Sequence, residues 1–166
     1  MQTAVMFSSA KDDWQTPVEV FAPLDLEFGF DLDVAAVAAN TQCQHYLGPD
    51  GDDERCRDAI AVEWATSMPM LGRPPVCWMN PPYSRGLQHK FIAKAAAERL
   101  RGVTTVALLP ARTDTKSFHE HIYQREGVEV RFLPGRIKFV GARHGAPFPS
   151  MVVVFRGARQ QVRRTA

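Results

Sequence analysis

Signs of a disulfide framework, a membrane span or a signal peptide are all missing from this 166-residue sequence. Its three cysteines are odd in number and have no metal-ligand spacing, which favours a reduced intracellular protein without a metal site. No apolar run approaches the roughly 20 residues of a membrane helix. Residues 1–10 have neither the basic start nor the apolar stretch of a secretory signal. We therefore expect one globular domain, residues 1–166, in the cytoplasm.

Acidic residues are absent from the C-terminal part of the chain. After Glu129 there is no Asp or Glu but there are eight basic residues, whereas acids far outnumber bases up to Glu63. This asymmetry favours an acidic pocket for a cationic cofactor in the first half and a basic surface for a polyanion in the second. Residues 157–166 have the alternative of being a solvated basic tail, which leaves residues 13–156 as the core of the domain.

Strand and helix patterns alternate along the chain and predict an α/β fold. Apolar or alternating runs indicate strands at 28–34, 76–79, 103–109, 128–133, 136–140 and 151–155, with a loop at 40–54. Helices are indicated at 18–24, 86–100 and 114–124. The first should open on a capping box, with Thr16 as N-cap, Pro17 as first residue and Glu19 in its first turn. Because the last strands are too close together for helical crossovers, the sheet should be mostly parallel with an antiparallel C-terminal end.

The most informative segment is Asn80-Pro81-Pro82-Tyr83, directly after the predicted strand at 76–79. Two consecutive prolines force a stiff loop, and the preceding Asn80 is driven toward an extended conformation. The Asn80 side-chain oxygen and the Pro81 carbonyl can accept both hydrogens of an exocyclic amino group, while Tyr83 stacks on its ring. The segment resembles the catalytic loop of amino-methyltransferases, which use S-adenosylmethionine to methylate adenine N6 or a similar nitrogen. The alternative is a proline-stiffened surface turn.

Asp33 lies near the end of a predicted strand, where open α/β sheets bind their ligands. Its carboxylate can pair with the ammonium group of S-adenosylmethionine, and Ala35 is small enough to let the cofactor approach the backbone. A glycine-rich turn is the usual form of such a site, and this sequence has none. The alternative is an acidic loop after a strand.

Trp14-Gln15-Thr16-Pro17 and Phe21 offer a second part of a cofactor pocket. Trp14 and Phe21 can wall the adenine ring, and the helix that begins at Thr16-Pro17 can direct its N-terminus to the cofactor carboxylate. Asp58, which precedes the catalytic loop, can accept a hydrogen bond from the adenine amino group. The alternatives are a hydrophobic staple for the first segment and a boundary residue for Asp58.

Taken together, the segments resemble the phage-type (Dam-like) DNA N6-adenine methyltransferases over about residues 13–155. The resemblance rests on this ordered series: Trp14-x-Thr16-Pro17, Phe30-Asp31-Leu32-Asp33-Val34-Ala35-Ala36, Asn40-x-x-Cys43-x-x-Tyr46, Trp78-x-Asn80-Pro81-Pro82-Tyr83-Ser84, Leu108-Leu109-Pro110-Ala111-x-Thr113-Asp114-Thr115, Gly135-Arg136-x-Lys138-Phe139 and Pro147-Phe148-x-Ser150. It implies a Rossmann-like methyltransferase fold whose seven-stranded sheet has one antiparallel strand near its end. It also implies S-adenosylmethionine as cofactor and adenine in DNA as acceptor, in a phage- or prophage-encoded protein of a bacterial cell.

The resemblance implies a flipped adenine on Tyr83, with Asn80, Pro81 and Pro82 completing the catalytic loop. Asp33 and Asp58 would hold the cofactor, and either Asn40 or Asp50 would hold its ribose. We assign contacts with DNA phosphates to Arg112, Thr113, Lys116, Arg136, Lys138 and Arg143.

The sequence departs from methyltransferases in general by lacking their glycine-rich cofactor loop. It also leaves almost no room for a separate target-recognition domain, so sequence specificity would be short, loose or supplied by a partner. Alternative acceptors are cytosine N4, RNA adenine and protein glutamine. A different alternative is a DNA-binding module that has lost catalysis.

Overall fold

In the computed structural model, which describes residues 14–83 and 86–158, six strands form one sheet in the order β2-β1-β3-β4-β6-β5. The strands are β1 (Leu32–Asp33), β2 (His45–Tyr46), β3 (Val76–Met79), β4 (Thr104–Pro110), β5 (Val128–Phe132) and β6 (Ser150–Phe155). The first four run parallel, and β6 is antiparallel to both of its neighbours, β4 and β5. The prediction of an α/β fold with a mostly parallel sheet and an antiparallel C-terminal end is therefore confirmed.

Both faces of the sheet are covered, which explains why β4 and β6 have nearly continuous apolar sequences. The helices are α1 (Val18–Phe28), α2 (Leu87–Arg99) and α3 (Lys116–His121), and short 3₁₀ helices occupy Glu54–Cys56, Trp64–Thr66 and Pro69–Leu71. Val106 of β4 packs with α1 on one face, whereas Ala107 packs with α2 and α3 on the other, as the two-residue period of a strand requires. None of the helices in the described ranges is long and apolar enough to cross a membrane.

Helix α1 begins differently from the prediction. Pro17 occupies the N-cap position in an extended conformation, and no side chain caps the helix. The expected capping box is wrong because the Thr16 hydroxyl accepts a hydrogen bond from the Asn80 side chain instead. The helix also continues past residue 24 to Phe28, where Gly29 ends it in the left-handed conformation and donates its N–H to Asp25 O.

Three strand predictions need correction. The strand expected at 28–34 consists of only Leu32–Asp33, since its first residue ends α1. The loop expected at 40–54 contains β2, a two-residue strand of polar sequence. Residues 136–140 alternate between exposed and buried but form no strand, because Ile137 O and Phe139 O accept hydrogen bonds from within the same loop. The described residues thus form six strands where the resemblance implied seven.

The other elements agree more closely with the sequence. Helix α2 lies within the predicted 86–100, and β4, β5 and β6 lie within one residue of their predicted bounds. The helix predicted at 114–124 is shorter, Lys116–His121; it begins later because the Thr115 hydroxyl caps it by accepting the Phe118 N–H at 3.2 Å. Residues 159–166 of the predicted basic tail (157–166) and Ser84 of the catalytic motif lie outside the described residues.

A buried carboxylate on α2 fixes the long connection between β2 and β3. Glu98 is 2% exposed, accepts the backbone N–H groups of Trp64 and Ala65 at 3.1 and 3.2 Å, and forms an ion pair with Lys94 at 2.8 Å. Buried charges are tolerated when they are paired and hydrogen-bonded in this way. The connection is therefore held against α2, where it forms one wall of a large cleft described below.

Candidate active site at the carboxyl edge of the sheet

A narrow pocket lies at the carboxyl ends of the neighbouring parallel strands β1 and β3. Asp33, the last residue of β1, pairs in register with Trp78 of β3, so Asn80 follows two residues beyond that pair. Both residues therefore reach the same edge of the sheet, the edge at which open α/β folds bind ligands. The pocket is lined by Trp14, Gln15, Thr16, Asp33, Ala35, Asn40, Gln42, Trp78 and Asn80.

The pocket brings together Asn80 and five of the residues predicted to bind the cofactor: Trp14, Thr16, Asp33, Ala35 and Asn40. The loop that carries Asn80 starts where β3 stops pairing with β4, at Met79, because prolines have no N–H to extend the ladder. Pro81 and Pro82 are both buried. The loop is therefore packed into the protein, unlike the surface turn that was its alternative interpretation.

Three hydrogen bonds fix the Asn80 side chain. Its Nδ2 donates to the backbone carbonyl oxygen of Trp14 at 2.6 Å and to the Thr16 hydroxyl at 3.1 Å. Its Oδ1 accepts the Tyr83 hydroxyl at 3.0 Å. An amide oxygen has two acceptor positions, so Oδ1 retains one for a further donor. The amide is thus oriented with its donors satisfied and with acceptor capacity remaining.

Tyr83 stands in an aromatic enclosure beside the loop. Its ring meets Phe148 edge-on with ring centroids 5.4 Å apart, and Phe139 with centroids 6.4 Å apart. Burial raises the pKa of the Tyr83 hydroxyl well above its ordinary value, so this group stays protonated and acts as a hydrogen-bond donor to Asn80. Tyr83 therefore contributes an aromatic surface and a neutral hydroxyl, not a base.

Asp33 is a buried carboxylate whose hydrogen-bond donors are backbone groups. It is 3% exposed and accepts the N–H groups of Ala35 at 3.2 Å and Gln42 at 3.1 Å. Burial raises the pKa of Asp33 from 3.8 to about 6, although both N–H groups act to lower it. Among the described residues, no ion pair includes Asp33. The arrangement suits a cationic ligand, since a positive charge beside Asp33 would offset its desolvation.

Asn40 and Asp50, the two candidates for holding the ribose hydroxyls, both accept backbone N–H groups from the segment that follows Ala36. Asn40 Oδ1 accepts the Val37 N–H at 2.8 Å, and Asp50 Oδ2 accepts the Ala38 N–H at 3.0 Å. Asn40 also lines the pocket, whereas Asp50 is exposed and does not. Of the two, the structure places only Asn40 beside Asp33.

Three predicted cofactor residues lie outside the narrow pocket. Phe21 is buried against Trp78, with ring centroids 5.2 Å apart in an edge-on contact, and against Phe30 at 5.5 Å. Pro17 occupies the N-cap of α1. The exposed Asp58 caps the turn that follows it, accepting the Ile60 N–H at 3.0 Å. Trp14 and Phe21, which were predicted to wall the adenine ring together, therefore lie in different surroundings. Trp14 lines the pocket, whereas Phe21 is buried against Trp78 and Phe30.

Asp58 lines a second cleft, with a volume of about 1130 Å³, between residues 48–69 and the start of α2. Gly48, which follows β2 closely, lines this cleft. A side chain at Gly48 would collide with the carbonyl oxygen of Ala36. Ala36 follows Ala35 of the narrow pocket. The two cavities are thus adjacent at the ends of β1 and β2, separated by close backbone packing that only glycine permits.

Gln42 is a pocket residue that the sequence did not single out. Its backbone N–H donates to Asp33 Oδ2, and its side-chain Nε2 donates to the Thr16 carbonyl oxygen at 3.1 Å. It occupies one of the unspecified positions between Asn40 and Cys43 in the family series. Its partners are 9 and 26 residues away, so no spacing in the sequence indicated its role.

The residues assigned to DNA phosphates are all exposed: Arg112, Thr113, Lys116, Arg136, Lys138 and Arg143. The guanidinium of Arg112 lies 6.0 Å from the centre of the Phe148 ring, beside Tyr83, and Lys116 is 3.5 Å from Glu120. The last three belong to a loop that is tied to the pocket wall, since the Val140 N–H donates to Gln15 O at 3.1 Å. We call residues 135–146 the basic loop.

Two other arginines of the acid-poor half are engaged elsewhere. Arg131 forms ion pairs with Glu27 at 2.7 Å and Glu129 at 2.6 Å, and Arg156 pairs with Glu129 at 2.5 Å. Both guanidinium groups also lie over the Phe28 ring. Part of the C-terminal positive charge is therefore neutralised within the fold, and the basic loop carries exposed charge close to the pocket.

Comparison with known proteins gives a consistent picture. A family model described as DNA N-6-adenine-methyltransferase (Dam) matches residues 3–165. The DNA N-6-adenine-methyltransferase of Haemophilus phage HP1 (strain HP1c1) is 31% identical over 156 residues, which cover 89% of this chain and 80% of that protein. The protein of the same name from Escherichia phage T1 is 31% identical over 113 residues, 68% of this chain and 41% of the T1 protein.

Proposed function

The chain belongs to the DNA N-6-adenine-methyltransferase (Dam) family, and from that premise we propose that it transfers a methyl group from S-adenosylmethionine to N6 of adenine in DNA. The structural observation that carries the proposal is the shared pocket of Asp33 and Asn80. One residue suits a cationic cofactor and the other an amino group, and methyl transfer requires both ligands at one place. The phage relatives support a phage-encoded protein that acts in a bacterial cell.

The pocket has a volume of only about 10 Å³, and it is the chemistry of its lining residues that fits the methionine end of the cofactor. S-adenosylmethionine, when bound, supplies an electrophilic methyl group on a positively charged sulfur. Asp33 would pair with the ammonium group, because its buried carboxylate has no cationic partner among the described residues. Trp14 and Ala35 would enclose this end of the molecule. The adenosine end would extend toward the larger cleft, where Asp58 and Ile60 line the wall.

Asn80 and Pro81 would hold the acceptor nitrogen. The free acceptor position on Asn80 Oδ1 and the Pro81 carbonyl oxygen would take the two hydrogens of N6. Both hydrogen bonds would draw the nitrogen lone pair out of conjugation with the purine, so that N6 can attack the methyl carbon as the methyl–sulfur bond breaks. N6 would then release one of its two protons to water, which leaves N6-methyladenine. Most of the rate enhancement would then come from orientation and fixed dipoles. The described histidines do not enter this scheme, and burial raises the pKa of the Cys43 thiol to about 12, which leaves it protonated.

Tyr83 would provide the surface on which the flipped adenine stacks. An adenine inside a duplex does not expose N6 for in-line attack, so the base must leave the helix. The Tyr83 ring is already held by T-shaped contacts with Phe148 and Phe139, so it would offer the base a fixed aromatic surface. Stacking on an aromatic side chain contributes about 1–3 kcal/mol per base.

The basic loop and Arg112 would hold the DNA backbone beside the pocket. Arg136, Lys138 and Arg143 are exposed, and the Gln15 contact keeps their loop next to the residues that line the site. Contacts of this kind position the DNA without reading its sequence. Lys116 and Thr113, at the start of α3, would extend the same surface.

We also propose that the sheet is a Rossmann-like methyltransferase sheet. Its antiparallel strand β6 lies between β4 and β5, and its ligand pocket lies at the carboxyl ends of the parallel strands. A single domain over residues 1–166 agrees with the family match, which covers nearly the same range.

The test is incubation with labelled S-adenosylmethionine and mixed DNA, followed by nucleoside mass spectrometry. The expected product is N6-methyladenine. Parallel incubations with RNA and with protein substrates would reveal methylation of RNA adenine or of glutamine side chains. N4-methylcytosine as the only product would move the acceptor to cytosine. Cofactor binding without any product in all three substrates would indicate a DNA-binding protein that has lost catalysis.

A further inference from the structure

Thr16 and Asn80 are joined by a hydrogen bond that the cofactor role of Thr16 does not require. Asn80 Nδ2 donates to Thr16 Oγ1 at 3.1 Å, and Thr16 is only 3% exposed. We infer that Thr16 is a positioning residue that, together with the Trp14 carbonyl oxygen, holds the Asn80 amide in the plane and position needed for methyl transfer. The inference rests on the function proposed above for Asn80.

The orientation of the amide decides whether Asn80 presents an acceptor or a donor to the adenine amino group. The Trp14 carbonyl oxygen and the Thr16 hydroxyl each take one hydrogen of Nδ2. If the amide rotated by half a turn, Oδ1 would face the Trp14 carbonyl oxygen, and Nδ2 would face the incoming amino group with its own hydrogens. The Trp14 carbonyl oxygen cannot donate and therefore disfavours the rotated state, while the Thr16 hydroxyl, which takes the second hydrogen, fixes the plane and position of the amide.

Thr16 is itself held in place from the cofactor side of the pocket. Its carbonyl oxygen accepts Gln42 Nε2 at 3.1 Å, and the backbone N–H of Gln42 donates to Asp33 at 3.1 Å. Pro17 restricts the Thr16 backbone further, because a residue before proline is confined to extended conformations. The Thr16 hydroxyl is thus held at a fixed place beside Asn80, as a positioning role demands.

The test compares Thr16→Val, which keeps the shape but removes the hydroxyl, with Thr16→Ser, which keeps the hydroxyl. At saturating cofactor and DNA, T16V should lower kcat about tenfold while leaving the Kd for S-adenosylmethionine within about twofold. T16S should recover most of the lost rate. Thr105→Val is the matched control: Thr105 is fully buried, and its hydroxyl has no hydrogen-bond partner among the described residues, so the same chemical change should leave kcat unaltered.

Hydrogen exchange of the Asn80 side-chain amide, measured by NMR, tests the inference without requiring turnover. The Asn80→Ala variant identifies the signals of this amide by their absence. The Nδ2 hydrogens should exchange faster in T16V than in the unmodified protein, with T16S close to the unmodified protein. Equal exchange rates in T16V would overturn the inference, as would an unchanged kcat or a loss of cofactor affinity alone. Absence of N6-methyladenine in the unmodified protein would instead contradict the proposed function, and the exchange measurement keeps these two failures apart.

Discussion

The side-chain amide of Asn80 donates to the backbone carbonyl oxygen of Trp14 at 2.6 Å, so the loop after β3 is fixed to the segment that precedes α1. These two segments are 66 residues apart in sequence. The bond places the residue that would hold the acceptor beside a wall of the pocket that would hold the cofactor. The position of each ligand thus depends on the same short stretch of chain, and substitutions in the pocket should separate their two roles.

Asp33 should make cofactor affinity depend on pH. Its pKa is raised to about 6 in the protein without cofactor, and pairing with an ammonium group requires the ionised carboxylate. We expect the affinity for S-adenosylmethionine to fall as pH drops from 7 to 5, and Asp33→Asn to weaken binding at pH 7 and to abolish this pH dependence. Titration calorimetry at several pH values checks this. Asp31→Asn is the control, because Asp31 pairs with Arg73 outside the pocket; equal pH profiles for D33N and the unmodified protein would contradict the assignment.

The same carboxylate should affect stability, with a definite sign. A raised pKa means that the folded state binds more protons than the unfolded state between about pH 4 and pH 6, so stability falls as pH rises through this range. Above pH 6 the buried charge costs on the order of 3 kcal/mol, because burial raises the pKa of Asp33 from 3.8 to about 6. D33N should therefore gain stability relative to the unmodified protein as pH rises from 4 to 7. Denaturant unfolding at both pH values measures this; a difference independent of pH would contradict it.

Tyr83 should act through its ring more than through its hydroxyl. Tyr83→Ala removes the stacking surface and should reduce methyl transfer by about 10- to 100-fold, in line with about 1–3 kcal/mol for base stacking. Tyr83→Phe keeps the ring and loses only the hydrogen bond to Asn80, so its loss of rate should be clearly smaller. Steady-state kinetics on an adenine-containing oligonucleotide compares the two variants. Equal losses in Y83F and Y83A would show that the hydroxyl is the important group and that stacking is not.

The basic loop should contribute to DNA binding in a way that does not depend on sequence. The double variant Arg136→Glu/Lys138→Glu should weaken binding to all sequences. The slope of log K against log salt should become less negative by about 2, as expected for two lost phosphate contacts. Cofactor affinity should stay the same. Arg101→Glu reverses a charge at the amino end of β4, where Arg101 pairs with Glu63, and should bind DNA normally.

Deletion of residues 159–166 completes this comparison. Its effect on DNA binding should be smaller than that of R136E/K138E, since the basic loop lies beside the pocket. Fluorescence anisotropy over a range of salt concentrations measures all three variants. Loss of DNA binding on deletion of the tail, together with normal binding by R136E/K138E, would place the DNA surface elsewhere.

Sequence patterns correctly predicted the elements that have a clear apolar run or helical period in their own residues. The continuous apolar run of β4 and the helical period of α2 are local properties, and both elements appear within one residue of their predicted bounds. The two-residue strands β1 and β2 were misjudged because their pairing comes from main-chain contacts with neighbouring strands. The alternation at 136–140 was a correct indication of burial for Ile137 and Phe139, but it did not reveal that the backbone bonds within its own loop.

The candidate site likewise has a part that local sequence patterns could predict and a part that they could not. The approach of Asp33 and Asn80 follows from strand ends in a parallel sheet and was predictable from sequence. The roles of Thr16 and Gln42 were not, because each depends on a hydrogen bond to a residue far along the chain. The sequence pattern predicted Thr16 as the N-cap of α1, but its hydroxyl accepts a hydrogen bond from Asn80 instead.

The measurement that tests the central proposal most directly is N6-methyladenine formation by the unmodified protein and by Asn80→Ala, alongside their affinities for S-adenosylmethionine. We predict N6-methyladenine from the unmodified protein and a loss of about 10²–10³-fold or more in N80A, because the oriented acceptor for N6 is gone. Cofactor affinity should stay within about twofold. Gln44→Ala, which truncates an exposed amide side chain that does not line the pocket, serves as the control. Substantial N6-methyladenine from N80A, or none from an unmodified protein that binds the cofactor, would contradict the proposal.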